Sequence, residues 1–153
     1  MKNFLPISLD IAEQKILIIG GGSSAYKKLK LLQRFDAEVE VIALKVCRDI
    51  VLSGINYREQ AYDKSVLTGY VMLYSCTNDR ALNKQILEDG KNAGVLVNIH
   101  DQPDLCQFVS PAIYKDDNIT VAVGSNAQDV YSSIRIRDEI KTFLEEKNTD
   151  QQI

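Results

Sequence analysis

Lys15-Ile16-Leu17-Ile18-Ile19-Gly20-Gly21-Gly22-Ser23-Ser24-Ala25 sets a continuous apolar run directly against a glycine cluster, and an apolar-periodic segment follows it. A short run of branched aliphatic residues bounded by glycine reads as a strand buried on both faces. The spacing Gly20-x-Gly22-x-x-Ala25 then gives each small residue a mechanical task. Gly20 turns the chain sharply off the strand, Gly22 removes the Cβ that would hold the backbone away from a pyrophosphate, and Ala25 lets the new helix pack closely on the sheet. The helix aims its unpaired N–H groups and positive dipole end at the phosphates, so Gly20, Gly22, Ser23 and Ser24 are the expected pyrophosphate contacts. The glycine string alone also describes a turn that binds nothing. Its place between a strand and a helix is what favours a dinucleotide.

Outward from this unit, a helix is expected over residues 24–35, with Leu29, Leu32 and the Tyr26 ring inward and Lys27, Lys28 and Lys30 on a solvated face. Residues 37–43 alternate and read as the second strand. The end of that strand, at Ile42, Ala43 and Leu44, is where an acid commonly holds an adenosine ribose. None of the three is acidic and Lys45 follows, so the usual signal does not separate NAD from NADP, and Ala43 is kept as the cofactor-side residue there. Residues 55–60 form a poorly buried third strand and residues 70–77 a stronger fourth. Asn78-Asp79 caps a helix over residues 80–92, Gly94 ends it, and residues 95–99 make the fifth strand.

The repeated strand, helix, strand order implies an α/β fold with a Rossmann-type doubly wound parallel sheet. Pro6 places residues 4–9 as a short edge element. After His100 the pattern changes: residues 108–114 and 119–123 flank Lys115-Asp116-Asp117-Asn118 and read as a β-hairpin. Residues 129–146 follow as an amphipathic helix with Val130, Ile134, Ile140 and Leu144 on one stripe. The expected organisation is a dinucleotide-binding domain over residues 1–112, a hairpin plus helix used for dimerisation over 113–147, and a flexible tail over 148–153.

With 153 residues, 45% hydrophobic and 25% charged, the sequence has the composition of one ordinary globular domain. A net charge of −3 without any basic run argues against nucleic acid or an anionic membrane as partner. No apolar stretch is long enough to span a bilayer, and residues 1–6 lack a long apolar leader, so a cytoplasmic protein is expected. Cys47, Cys76 and Cys106 are widely spaced and read as reduced thiols, and no metal site follows from their spacing.

Several stretches taken together resemble the amino-terminal module of the siroheme synthase family, the precorrin-2 dehydrogenases, some of which also chelate iron into sirohydrochlorin. They are Leu5-Pro6-Ile7-Ser8-Leu9-Asp10, Leu17 to Gly22 with Ala25 and Lys28, Cys76-Thr77-Asn78-Asp79-x-x-Leu82-Asn83, Val97-Asn98-Ile99-His100-Asp101-Gln102-Pro103 with Leu105-Cys106, Phe108-x-x-Pro111-Ala112 and Thr120-Val121-Ala122-Val123. The resemblance implies oxidation of the tetrapyrrole precorrin-2 to sirohydrochlorin with NAD as hydride acceptor, by a homodimer. It implies that Asp101 is the acid/base at the carboxyl end of the fifth strand, where losing a hydride from the macrocycle requires losing a proton nearby. It places Thr77 and Asn78 beside the nicotinamide half, and Asn98 and Ser125 on the substrate side.

His100, beside Asp101, is expected to point away from it by strand alternation. The Ser-Gly-Gly-x-Ser-Pro-type loop of relatives is here Gly124-Ser125-Asn126-Ala127-Gln128-Asp129, which keeps the serine and loses the paired glycines. Iron insertion is left open by that departure. The competing expectation is a non-catalytic nucleotide-binding or tetrapyrrole-handling protein that has lost the substrate loop.

Overall fold

Branched aliphatic residues in short runs build one parallel sheet of β1 (Lys15–Ile19), β2 (Glu38–Ala43), β3 (Asn56–Glu59), β4 (Tyr70–Ser75) and β5 (Leu96–Ile99). The strand order is β3-β2-β1-β4-β5, and every neighbouring pair is parallel. Chain order reverses between β1 and β4, so the carboxyl ends of these two strands flank the switch point where open α/β sheets take their ligands. The computed structural model describes residues 2–150, with side chains through Lys147.

Helices α1 (Ser23–Gln33), α2 (Arg48–Leu52) and α3 (Arg80–Ala93) connect the strands. Ile16 and Ile18 of β1, Val41 of β2 and Tyr74 of β4 pack in one cluster with Ala25, Leu29 and Leu32 of α1. Leu17 and Ile19, which alternate to the other face, are buried as well. Both faces of β1 are therefore covered, as a parallel sheet requires. Ala25 is fully buried, in agreement with its expected close packing. β3 is exposed throughout, also as expected.

The chain forms two compact units, Ser8–Phe108 and a second made of residues 2–7 with 109–150 among those described. In the second unit, β6 (Ala112–Asp116) and β7 (Ile119–Val123) pair antiparallel, and α4 (Val130–Asp150) packs on them. Tyr114 and Ser133 are its buried centre, and Arg137 donates to the Ile113 carbonyl at 3.2 Å. Asn126 ties the amino-terminal segment to this unit, accepting from the Phe4 N–H at 2.8 Å and donating to the Lys2 carbonyl at 2.9 Å.

Three expectations are corrected. Residues 4–9 form no strand, because the Phe4 N–H is spent on Asn126 rather than on a ladder. The backbone of α4 continues to Asp150, into the stretch expected as a tail; residues 151–153 lie outside the described residues. On α4, Val130 and Ile134 are exposed, whereas Ile140 and Leu144 are half-buried.

The loop before α4 takes a left-handed backbone at two consecutive non-glycine positions. Asn126 has φ +56° and Ala127 φ +60°. Asn tolerates this conformation, but an alanine there loses about 1–2 kcal/mol to the approach of its Cβ on the backbone. Ala127→Gly is expected to raise stability by about 0.5–1 kcal/mol after the entropy of glycine in the unfolded chain is subtracted, read by chemical denaturation.

Candidate functional site

The three glycines that follow β1 are small for different reasons. Gly20 sits at φ +119°, and a Cβ there would lie 2.8 Å from the Cys76 carbonyl oxygen. A Cβ on Gly21 would lie 2.1 Å from the Lys45 carbonyl oxygen and 2.8 Å from the Val46 Cα, so the glycine turn rests directly on the loop that leaves β2. The Cys47 N–H fastens that contact by donating to the Gly21 carbonyl at 2.7 Å. A Cβ on Gly22 would meet nothing within 4 Å. Packing within the protein thus explains Gly20 and Gly21, while the space above Gly22 remains open.

Gly22 is the N-cap of α1, and neither a side-chain cap nor an acidic residue in the first turn occupies the end of that helix. Ser23 is exposed and Ser24 half-buried at the same end. The residues present therefore fit a dinucleotide pyrophosphate: an open cradle at Gly22 lies against a helix end whose N–H groups lack a side-chain acceptor. Ala43 is buried at the end of β2, with its carbonyl accepting from the Gln60 N–H at 2.8 Å.

Across the switch point, β4 leads into a loop organised by one asparagine. The buried Asn83 accepts from the Ser75 hydroxyl at 2.7 Å and the Thr77 hydroxyl at 2.9 Å, and donates to the Thr77 carbonyl at 3.1 Å. Asp79 caps α3 through the N–H groups of Ala81 and Leu82 at 2.9 and 3.0 Å. The Thr-Asn-Asp and Leu-Asn pattern is thus first a device that fixes this loop. The Thr77 hydroxyl proton is committed to it, while Asn78 is exposed.

β5 ends at Ile99, and a turn over His100 and Asp101 closes with the Gln102 N–H donating to the Ile99 carbonyl at 3.3 Å. Asp101 takes φ +57°. A short polar side chain tolerates that conformation, and the turn presents the carboxylate to solvent at 86% exposure. Cys106 holds the base of the turn: its buried sulfur accepts from the Ile99 N–H and lies 3.2 Å from the Ile99 carbonyl.

One expectation is corrected here. His100 does not point away, since its Nε2 lies 3.3 Å from Asp101 Oδ2; the residue stands past the end of the strand, where alternation no longer applies. Asn98, expected on the substrate side, is buried, and its amide donates to the Phe108 carbonyl at 2.9 Å, which fixes the returning segment.

Lys28 departs from the solvated face expected for it. Its ammonium lies 4.5 Å from the centroid of the Tyr74 ring, and burial holds its pKa below the usual lysine value. A lysine stem lies along apolar surface at little cost, which is why helical periodicity does not reveal the turn inward. Burial also pushes the Cys76 thiol up to about 11 from 9.0, against the opposing attraction of Lys28.

At neutral pH such a thiol carries about a hundredfold less thiolate than an unperturbed one. Iodoacetamide is therefore expected to modify Cys76 about a hundredfold more slowly in the folded chain than in urea at pH 8, as read by peptide mass spectrometry. Cys47, Cys76 and Cys106 form no disulfide with one another.

Ser125 lies in the second unit, where its hydroxyl accepts from the Asp129 N–H at 3.0 Å and helps start α4. Gly21 and Glu59 were missed in the sequence. Gly21 lies between the two motif positions and carries no spacing signal. Glu59 sits on the strand beside the expected one: in register with Ala43, it accepts the Val46 N–H at 3.0 Å. Among the described residues no helix is long and apolar enough to cross a membrane.

Comparison with known proteins agrees with this geometry. The siroheme synthase of Vesicomyosocius okutanii subsp. Calyptogena okutanii is 34% identical over 146 residues, which cover 93% of this chain and 31% of that protein. That of Nitrosospira multiformis is 32% identical over 151 residues, covering 93% and 32%. The chain thus spans about a third of the length of these relatives. The solved structure of SirC, precorrin-2 dehydrogenase, superposes with a TM-score of 0.77 at 21% identity, over 91% of this chain and 70% of that one, and shares the fold. Residues 7–112 match the family model described as "Putative NAD(P)-binding". With its glycine turn at the switch point of a parallel sheet, the chain belongs to this NAD(P)-binding family.

Proposed function

We propose that this chain oxidises precorrin-2 to sirohydrochlorin with NAD, a step of siroheme biosynthesis. The observation that carries the reading is the pairing, within the unit Ser8–Phe108, of an open cradle at Gly22 with an exposed carboxylate at Asp101, on strands separated only by β4. The similarity to siroheme synthases supports the choice of substrate.

Bound NAD supplies the hydride acceptor. The backbone N–H groups at Gly22, Ser23 and Ser24 would hold the pyrophosphate, Gly20, whose N–H donates to the Ile42 carbonyl at 2.8 Å, would shape the turn beneath it, Ala43 would face the adenosine half, and Thr77 with Asn78 the nicotinamide half. Asp101 takes the proton that leaves the macrocycle as the hydride departs, so the products are sirohydrochlorin, NADH and a proton. The turn around Asp101, fixed by Cys106 and Asn98, keeps the carboxylate at the carboxyl end of β5. The protein works in the cytoplasm as a homodimer, in which a second copy covers Val130, Tyr131, Ile134 and Phe143, all exposed on α4.

Anaerobic mixing of the chain with precorrin-2 and NAD tests this proposal. The expected result is sirohydrochlorin absorbance rising in step with NADH. Binding of NAD with no product over many minutes would leave a nucleotide-binding protein and overturn it.

A further inference from the structure

The end of β2 carries no acid, yet the structure brings one to the same place from the neighbouring strand. β3 runs parallel to β2 with Glu59 in register with Ala43, and the Gln60 N–H continues the pairing by donating to the Ala43 carbonyl. Glu59 then reaches over the loop that leaves β2, where its Oε1 accepts the Val46 N–H at 3.0 Å. This is the loop on which Gly21 rests, with the Cys47 N–H fastened to the Gly21 carbonyl.

The carboxylate, the loop and the glycine turn are therefore one connected piece of structure. One oxygen of Glu59 holds the loop, and among the described residues no cation pairs with the carboxylate. The neighbouring Arg58 faces the other way, to Glu40.

We infer that Glu59 is the cofactor-specificity residue: its carboxylate accepts the 2′-hydroxyl of the adenosine ribose and repels the 2′-phosphate of NADP. The inference rests on the NAD-binding reading above and adds to it the choice between the two nucleotides. A carboxylate at the ribose end of a dinucleotide site forms a charge-assisted bond to the hydroxyl, and it is a like charge for a phosphate. Lys45 and Arg48, exposed in and just after the same loop, carry the opposite charge and would favour the phosphate if they reached it first. The two possibilities therefore give opposite preferences.

The test is calorimetric titration of the full chain with NAD and with NADP, for wild type, Glu59→Gln and Lys45→Ala. Glutamine keeps an acceptor for the Val46 N–H, so an unchanged thermal midpoint verifies that the loop is intact. The expected result is a wild type that binds NAD at least tenfold more tightly than NADP, a Glu59→Gln variant in which that ratio falls about tenfold or more, and little change in Lys45→Ala.

A wild type that binds NAD while Glu59→Gln keeps the same NAD/NADP ratio overturns the role of Glu59 and leaves the cofactor site standing. A wild type that prefers NADP, with the preference lost in Lys45→Ala, overturns it in favour of the cationic loop. A wild type that binds neither nucleotide overturns the cofactor reading itself.

Discussion

Asp101→Asn is expected to bind NAD as wild type does and to oxidise precorrin-2 about a hundredfold to ten-thousandfold more slowly, the range lost when a positioned general base is removed. Asparagine is the informative replacement. Like aspartate it tolerates φ +57°, so the turn closed by Gln102 and Ile99 persists, and the carboxylate charge is the main thing removed. Alanine would mix lost chemistry with backbone strain. Cofactor affinity should be unaffected because the glycine turn stands two strands away, across β4. A variant with wild-type turnover would remove Asp101 from the mechanism. A variant that loses NAD affinity and activity together would give the residue a structural part instead.

Gly21→Ala and Gly22→Ala are expected to fail in opposite ways, although they are adjacent in the same motif. At Gly21 the new methyl would fall 2.1 Å from a backbone carbonyl oxygen that cannot rotate away. Overpacking of this kind costs about 3 kcal/mol, which lowers the thermal midpoint of a chain this size by roughly 6–12 °C. At Gly22 nothing in the protein opposes a methyl, and φ −91° suits alanine, so stability should stay within about 1 kcal/mol of wild type. The cost appears only on binding, when the methyl stands between the pyrophosphate and the first N–H groups of α1. Loss of two charge-assisted hydrogen bonds weakens NAD by about a hundredfold. Calorimetry and thermal melts on the two variants measure both quantities. Equal NAD affinity in Gly22→Ala and wild type would mean that the open space there is not where the cofactor lies.

The cofactor half was readable because its signal is local. A buried strand, a sharp turn and a helix follow one another within about twenty residues, and Ala25, Leu29 and Leu32 declare the packed face of the helix by their spacing. The details that escaped depend on pairing or on a change of conformation. Glu59 reaches the end of β2 only because β3 lies beside it, which no spacing along the chain encodes. His100 was assigned by a strand rule one residue after the strand had ended. Asn98 sits in the stretch that carries the resemblance, and its amide donates to the Phe108 carbonyl, a tie between segments that no spacing along the chain encodes. Ala127 holds a left-handed conformation that its side chain disfavours, so its identity gives no sign of the backbone it adopts. Helix α2, with five residues, is too short to show a period.

The most direct measurement is a single turnover, with wild type and Asp101→Asn each saturated with NAD and mixed with one equivalent of precorrin-2 without oxygen, following sirohydrochlorin and NADH together. One sirohydrochlorin per NADH in the wild type, and neither on the same timescale in an Asp101→Asn variant that still holds NAD, is the expected result. A wild type that holds NAD and forms neither product, or an Asp101→Asn variant that forms both at the wild-type rate, would contradict a site composed of the glycine cradle and this aspartate.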